Sequence, residues 1–76
     1  MNVFVWESYG ELEIRDISTQ EQKALLKTEL VKALQSEGET DVDESMSLGD
    51  IIELVYDQLG NSDVFEHNTG IYKVKG

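Results

Sequence analysis

The chain begins with a segment that turns back on itself, Asn2-Val3-Phe4-Val5-Trp6-Glu7-Ser8-Tyr9-Gly10-Glu11-Leu12-Glu13-Ile14-Arg15. Residues 2–7 are rich in β-branched and aromatic side chains, which favour a strand. Residues 11–15 alternate between charged and apolar side chains, a pattern typical of a strand with one buried face. Because a short stretch that contains a glycine separates the two runs, the segment predicts an N-terminal β-hairpin.

The register of this hairpin depends on the length of its turn. A two-residue turn at Tyr9-Gly10 pairs Trp6 with Glu13, whereas a three-residue turn pairs Trp6 with Leu12. The second register gathers the apolar side chains of both strands on one face and places Gly10 at the left-handed position of a bulged turn. We therefore expect the three-residue turn, with four apolar side chains on one face: Phe4, Trp6, Leu12 and Ile14.

Two amphipathic helices are predicted after the hairpin. The first covers about residues 19–36, because Ser18 and Thr19 begin overlapping capping boxes and Gly38 offers a C-terminal cap. The second begins after the capping residue Ser47. Its apolar stripe has helical spacing and consists of Leu48, Ile51, Ile52, Val55 and Leu59.

The C-terminal part of the chain predicts a second hairpin. Residues 64–67 and 71–75 are strand-like and flank the turn-forming residues 68–70. Its register stays open between a two-residue and a three-residue loop. Together the elements predict one small acidic α+β domain over residues 1–76, with the order ββααββ and the helices on one face of an antiparallel sheet. These patterns leave the order of the strands in the sheet open.

The length of 76 residues and the absence of cysteine and proline restrict the class of protein. A chain of this size buries roughly 60% of its unfolded surface, so its stability should be marginal. Without cysteine it has no disulfide and no thiolate metal site to stabilise it. No apolar run approaches the ~20 residues of a membrane span, and residues 3–6 are too short for the core of a signal peptide. We expect a cytoplasmic protein.

Charge is distributed unevenly along the chain. Sixteen acidic and six basic residues give a net charge of −10. Residues 33–72, which we call the acidic segment, contain ten acidic residues and no lysine or arginine, so they hold the whole net charge. Ordinary surfaces mix both signs, and segregation of one sign causes self-repulsion. A basic partner is the simplest explanation. The acidic residues are Glu37, Glu39, Asp41, Asp43, Glu44, Asp50, Glu53, Asp57, Asp63 and Glu66.

The second helix carries the most informative part of the acidic segment. Asp50, Glu53 and Asp57 lie on the side opposite the apolar stripe, with axial steps of about 4.5 and 6 Å. Successive phosphates of a nucleic-acid strand are about 3.4 Å apart along the duplex axis, which is a similar scale. We therefore predict a module that binds the basic surface of a partner, such as a nucleic-acid-binding enzyme or regulator, by charge mimicry. The predicted contact residues are Asp41, Asp43, Glu44, Asp50, Glu53, Asp57, Asp63 and Tyr56.

In size and charge the chain resembles compact inhibitors encoded by phages or mobile elements, and also antitoxin or immunity proteins. We expect the protein to act by occluding the nucleic-acid site of its partner. Direct binding to nucleic acid is not expected, because phosphates repel an acidic chain. We expect a monomer or a small homo-oligomer that does not bind membranes.

Catalytic and metal chemistry have few candidate residues in this sequence. His67 is the one histidine, and the glycines are too scattered to form a phosphate-binding loop. The stretch Asp41-x-Asp43-x-Ser45 resembles the start of an EF-hand loop. However, Met46 occupies the sixth position, which needs glycine, and the twelfth position, which needs glutamate, is apolar. We predict no enzymatic activity, no cofactor and no metal site.

Two other functions remain open. A structural or assembly component would self-associate through the exposed edges of the hairpins. A carrier protein modified at Ser47 is the second, since Ser47-Leu48 followed by Glu53-Leu54-Val55 resembles the serine and recognition helix of acyl carrier proteins. The sequence departs from that family at Met46, where the family has Asp, and in the position of the triplet. Its N-terminal half also predicts a hairpin where that family has a helix.

Overall fold

A computed structural model describes residues 1–75 of the chain as a small α+β fold. The elements follow one another as ββααβ, and the three strands form one antiparallel sheet in the order β2-β1-β3. Neither helix within residues 1–75 has the length and hydrophobicity needed to cross a membrane. The elements are β1 (Asn2–Ser8), β2 (Glu11–Asp16), α1 (Gln20–Ser36), α2 (Leu48–Gln58) and β3 (Gly70–Lys73).

The N-terminal hairpin has the shorter of the two turns considered for it. Trp6 lies opposite Glu13, so the expected three-residue turn is wrong. Tyr9 has a φ of 50° and Gly10 a φ of 79°. Positive φ at both central residues defines the two-residue turn of type I′, whose twist matches that of the flanking strands.

The observed register changes which side chains of β2 face the helices. A slip of one residue moves every side chain of a strand to the other face of the sheet. Leu12 and Ile14, which were expected beside Phe4 and Trp6, therefore lie on the opposite face and are exposed. Arg15 takes their place on the inner face, with its guanidinium carbon 4.9 Å from the centre of the Trp6 ring.

Residues 61–69 hold the hairpin turn in place. The backbone N–H of Tyr9 donates a hydrogen bond to the carbonyl oxygen of Asp63 at 2.9 Å. The N–H of Gly10 donates to Oε2 of Glu66 at 2.7 Å. The left-handed conformation of Tyr9 is therefore stabilised by hydrogen bonds to a segment distant in sequence.

The predicted C-terminal hairpin is absent, because residues 64–67 form a loop and β3 pairs with β1 instead. The backbone N–H of Glu66 donates to the carbonyl of Glu7 at 2.9 Å. The indole N–H of Trp6 donates to the carbonyl of Val64 at 2.7 Å, and Phe65 is buried against that ring with 5.3 Å between ring centres. These contacts direct the backbone of the loop to the end of β1, so it does not form a ladder with β3.

The predicted helix caps are confirmed. Thr19 is the N-cap of α1, and it forms a capping box with Gln22 through hydrogen bonds of 3.1 and 3.0 Å. Gly38 follows the helix with a φ of 98°, a conformation that favours glycine. Ser47 is the N-cap of α2, and its hydroxyl oxygen accepts from the N–H of Asp50 at 3.2 Å.

The core lies between the helices and the inner face of the sheet. Strand β1 contributes Phe4 to it, and the loop after α1 contributes Val42, whose carbonyl accepts from the Gln35 side chain at 3.1 Å. These contacts hold both helices on one face of the sheet, and on the other face Leu12 and Ile14 are exposed whereas Val3 is buried. The largest fully buried side chains are Phe4, Phe65, Leu26, Leu30, Leu34, Ile51 and Val55.

Candidate protein-binding surface

One side of α2 presents a row of three carboxylates. The buried residues Ile51 and Val55 fix the orientation of the helix, so the opposite side faces away from the core. Asp50, Glu53 and Asp57 lie on that side, and all three are exposed. We call these three residues the acidic row. The structure brings them together as the helical spacing predicts.

The acidic row takes part in no ion pair within residues 1–75. The ion pairs within residues 1–75 both involve Arg15, which contacts Glu13 at 2.7 Å and also contacts Glu29. No lysine of residues 1–75 forms an ion pair with the acidic segment. No ion pair within the described residues therefore neutralises the row, and solvent and salt screen its field.

The acidic residues of the loop between the helices lie in a different environment. The carboxylate of Asp43 accepts the N–H of Ser45 at 2.8 Å and also its hydroxyl. The hydrogen bond from that hydroxyl lowers the pKa of Asp43. The carboxylate of Glu44 accepts the hydroxyl of Thr28, and the ammonium of Lys27 lies 3.3 Å from the carbonyl oxygen of Glu44. These two acids thus lie beside α1, close to one of its lysines.

The remaining predicted contact residues are dispersed. Asp41 is exposed in the loop before Val42, and Asp63 is exposed beside the hairpin turn. Tyr56 is about half exposed, but its ring packs against β3: a Cβ on Gly70 would lie 3.1 Å from its hydroxyl oxygen. Tyr56 therefore contributes to the packing of α2 on the sheet, and only part of its ring is available to a partner.

The other exposed face of the molecule is apolar, and the sequence did not indicate it. Side chains alternate along a strand, and β1 places Val5 opposite Ile14 and Val3 opposite Tyr72. The pairing continues beyond β3, where the N–H of Val74 donates to the carbonyl of Met1 at 2.9 Å. We call this surface the outer sheet face. Five of its apolar residues are exposed, Val5 is half-buried and Val3 is buried. The exposed ones are Met1, Leu12, Ile14, Tyr72 and Val74.

The surface depressions of the molecule are shallow. One of them, about 360 Å³, lies between α1 and the loop that precedes α2, and its lining includes Lys23, Lys27 and Glu44. Within residues 1–75 no group of three His, Asp or Glu side chains is arranged to hold a metal ion. Ser47, the residue of the carrier-protein interpretation, is exposed and accepts the hydrogen bond of a helix cap.

Comparison with protein-family models, with curated proteins and with solved structures finds no match. The function must therefore be inferred from the surfaces themselves. Two of them stand out, the acidic row on α2 and the outer sheet face.

Proposed function

We propose that this protein is a binding module that engages the basic surface of a partner protein through the acidic row. The observation that carries the proposal is that Asp50, Glu53 and Asp57 share one exposed side of a helix and form no ion pair with any residue that the structure describes. The rest of the acidic segment holds seven further acidic residues and no lysine or arginine, so it carries the same sign of charge.

The helix makes the row suitable for binding. Three buried side chains anchor α2 in the core: Ile51, Ile52 and Val55. The backbone that carries the carboxylates is therefore ordered before a partner docks, which keeps the entropic cost of association small. Charge complementarity would accelerate the encounter and disfavour acidic partners.

A nucleic-acid-binding protein is the partner class that this geometry fits best. Steps of about 4.5 and 6 Å between carboxylates along the helix axis allow them to occupy positions that phosphates take in a basic groove. Occupation of that groove excludes the nucleic acid, which makes the protein an inhibitor or modulator. In this mechanism Asp41, Asp43, Glu44 and Asp63 add to the long-range field, and the exposed part of Tyr56 contacts the partner at the margin of the row.

The proposal is tested by affinity capture with two immobilised variants of equal net charge. In the first, Asp50→Asn, Glu53→Gln and Asp57→Asn neutralise the row. In the second, the matched control, three exposed acids away from α2 are neutralised: Glu11→Gln, Glu21→Gln and Glu37→Gln.

We expect the wild type and the control to retain a basic protein that added salt elutes, and the row variant to lose it. Titration of the captured protein with its nucleic acid should then displace the module. Equal retention by both variants would contradict the proposal, and so would binding that is insensitive to salt, because a contact between exposed charges weakens as the Debye length shortens.

A further inference from the structure

Strand β2 lies at an edge of the sheet, so one side of its backbone has no neighbouring strand. The hydrogen bonds of β1 show which groups these are. The carbonyl of Asn2 accepts from the N–H of Ile17 at 3.1 Å, on the β2 side. The N–H and the carbonyl of Glu7 instead bond to residues 66–69, on the other side of β1. Even-numbered residues of β1 therefore bond toward β2, and odd-numbered residues bond away from it.

The pairing with β1 then identifies the free groups of β2. In an antiparallel pair, opposite residues either bond to each other or both point away. The residues of β2 that lie opposite odd-numbered residues of β1 therefore present their N–H and C=O groups outward. No hydrogen bond from another part of residues 1–75 reaches these backbone groups. They belong to Leu12, Ile14 and Asp16.

We propose that this edge accepts an extended segment of a partner protein as a further antiparallel strand, with lysine or arginine at alternate positions of that segment. Main-chain hydrogen bonds would hold the segment, and the surroundings of its alternate side chains would select it. The site lies on β2 and not on α2, so it goes beyond the function proposed above and does not depend on the acidic row.

The charges on the inner side of β2 favour a basic segment. Glu13 bonds toward β1, so an added strand meets it in a non-hydrogen-bonded pair, where opposite side chains are closest. Glu11 lies on the same side, is exposed and forms no ion pair within residues 1–75. Arg15, the cation of this row, already contacts Glu13 and Glu29. A lysine or arginine of the segment would therefore lie beside carboxylates and away from an unengaged cation.

Two depressions beside β2 can receive the alternate side chains. One, of about 260 Å³, lies on the inner side of the hairpin, and its lining includes Tyr9 and Glu13. A carboxylate and an aromatic ring suit an ammonium or guanidinium group. The other, of about 190 Å³, lies between the end of β2 and α1, and its lining includes Leu25 and Glu29. Arg15 lines both, so side chains two residues apart in a strand, roughly 6.8 Å, can reach one each.

The other edge of the sheet is a poorer site for a basic segment. Strand β3 has four residues against six in β2, and it ends at the exposed Lys73, which repels a basic segment and protects the edge. A second copy of the chain carries the same net charge of −10, so repulsion opposes its approach. A basic segment is attracted instead.

The test measures binding of three peptides of about seven residues to the full chain by isothermal titration calorimetry at about 0.15 M salt. The first alternates lysine and valine. The second has the same composition in separate blocks of lysine and valine, and it controls for general attraction between opposite charges. The third alternates glutamate and valine. We expect the first to bind at least about 10-fold more tightly than the second, because strand addition contributes several main-chain hydrogen bonds. We expect the third not to bind.

Ile14→Pro tests the backbone contact without a change of charge. The N–H of Ile14 points outward, so proline removes no bond of the β1–β2 ladder and is compatible with an edge strand. It removes a donor that an added strand needs. Ile14→Thr is the matched control, since it keeps the N–H and a β-branched side chain. We expect Ile14→Pro to bind the alternating and the blocked lysine peptide equally, and Ile14→Thr to keep the preference.

Amide hydrogen exchange tests the geometry in the wild-type protein. The outward amides of Leu12, Ile14 and Asp16 should exchange rapidly in the free chain. With the alternating lysine peptide bound, their exchange should slow at least about 10-fold, because each then donates a hydrogen bond. The amides of Glu13 and Arg15 bond to β1 and should be protected with or without the peptide.

Three results would overturn the proposal: equal affinity of the wild type for the two lysine peptides, a preference that survives Ile14→Pro, or outward amides whose exchange the peptide does not slow. Slow exchange of these amides at high protein concentration without peptide would also overturn it, because a second copy would then occupy the edge. The row variant described above separates this site from the acidic row. It should lose capture of the basic protein and keep the preference for the alternating lysine peptide.

Discussion

Tyr9 is the residue on which the register of the sheet depends. Its φ of 50° lies in a region that residues other than Gly, Asn and Asp seldom adopt. Two-residue hairpin turns usually contain Asn-Gly or Asp-Gly, and without that signal the sequence favoured the longer turn. The conformation is supported by hydrogen bonds from elsewhere, one of them between Gly10 and Glu66, which are 56 positions apart. Local sequence patterns cannot reveal a turn that is stabilised in this way.

Replacing Tyr9 should therefore stabilise the protein. Asn tolerates positive φ and keeps the N–H that bonds to Asp63, so we expect Tyr9→Asn to raise the free energy of unfolding by about 0.5–1 kcal/mol. Tyr9→Phe keeps the strained backbone and loses only a hydroxyl, so it should leave the stability unchanged. Urea unfolding measures the free energy of unfolding of the wild type and of both variants. A loss of stability in Tyr9→Asn would show that the contacts of the Tyr9 side chain, although Tyr9 is 71% exposed, contribute more to stability than relief of the backbone strain does.

Two exposed aspartates should titrate below the ordinary pKa of an aspartate. The hydroxyl of Ser18 lowers the pKa of Asp16, and the hydroxyl of Ser45 lowers the pKa of Asp43. Because the pKa of each aspartate is lower in the folded state than in the unfolded state, its carboxylate stabilises the fold above the unfolded pKa. This stabilisation is lost as pH falls below about 4. We expect Ser18→Ala to raise the pKa of Asp16 alone and Ser45→Ala to raise that of Asp43 alone. Carboxyl NMR titration measures the pKa of both aspartates in each variant, so the aspartate beside the unchanged serine is the control. If the pKa of the other aspartate did not move, the serine hydroxyl would not be the cause of its lowered pKa.

Some elements of the fold are indicated by local sequence patterns and others are not. Both helices, their N-caps and Gly38 follow from periodicity and capping chemistry, which depend on residues within one or two turns. The prediction of a C-terminal hairpin was wrong, because residues 64–67 hydrogen-bond to β1 instead of pairing with β3. The acidic row was predictable since it lies within one helix, whereas the outer sheet face was not, since its composition depends on the register of β2.

The start of α2 gives a test at the level of one element. Ser47 accepts the N–H of Asp50, so we expect Ser47→Ala to lower the free energy of unfolding by about 1 kcal/mol. Ser47→Asp should retain most of the stability, because aspartate is an equally good N-cap. Thermal and urea unfolding give the comparison. A Ser47→Ala protein as stable as the wild type would leave the serine without a structural role and would favour the carrier-protein interpretation, which mass spectrometry of Ser47 tests directly.

The whole molecule is a slab of 37 × 29 × 15 Å with unlike broad faces. The helices lie on one face, and the sheet presents the other, on which Leu12 and Ile14 are exposed. A chain of net charge −10 therefore still carries an apolar surface, because the acidic row lies on α2 and the outer sheet face lies on the strands.

Salt should stabilise the folded molecule as a whole. The Debye length falls from about 30 Å at 0.01 M salt to about 8 Å at 0.15 M, while the longest dimension of the protein is 37 Å, so repulsion across the acidic segment is felt at low salt and screened at the higher concentration. We expect the thermal midpoint to rise with sodium chloride over this range.

Glu53→Gln combined with Asp57→Asn should raise the thermal midpoint at low salt and reduce its salt dependence. The change at Asp57 should help in a second way, because Asp57 lies near the C-terminal end of α2, where the helix dipole disfavours a carboxylate. Neutralising Glu13 and Glu29, which pair with Arg15, removes the same number of charges and should instead lower the midpoint. A midpoint that falls with salt would mean that attractive pairs outweigh repulsion, and the uneven charge would then need no partner to explain it.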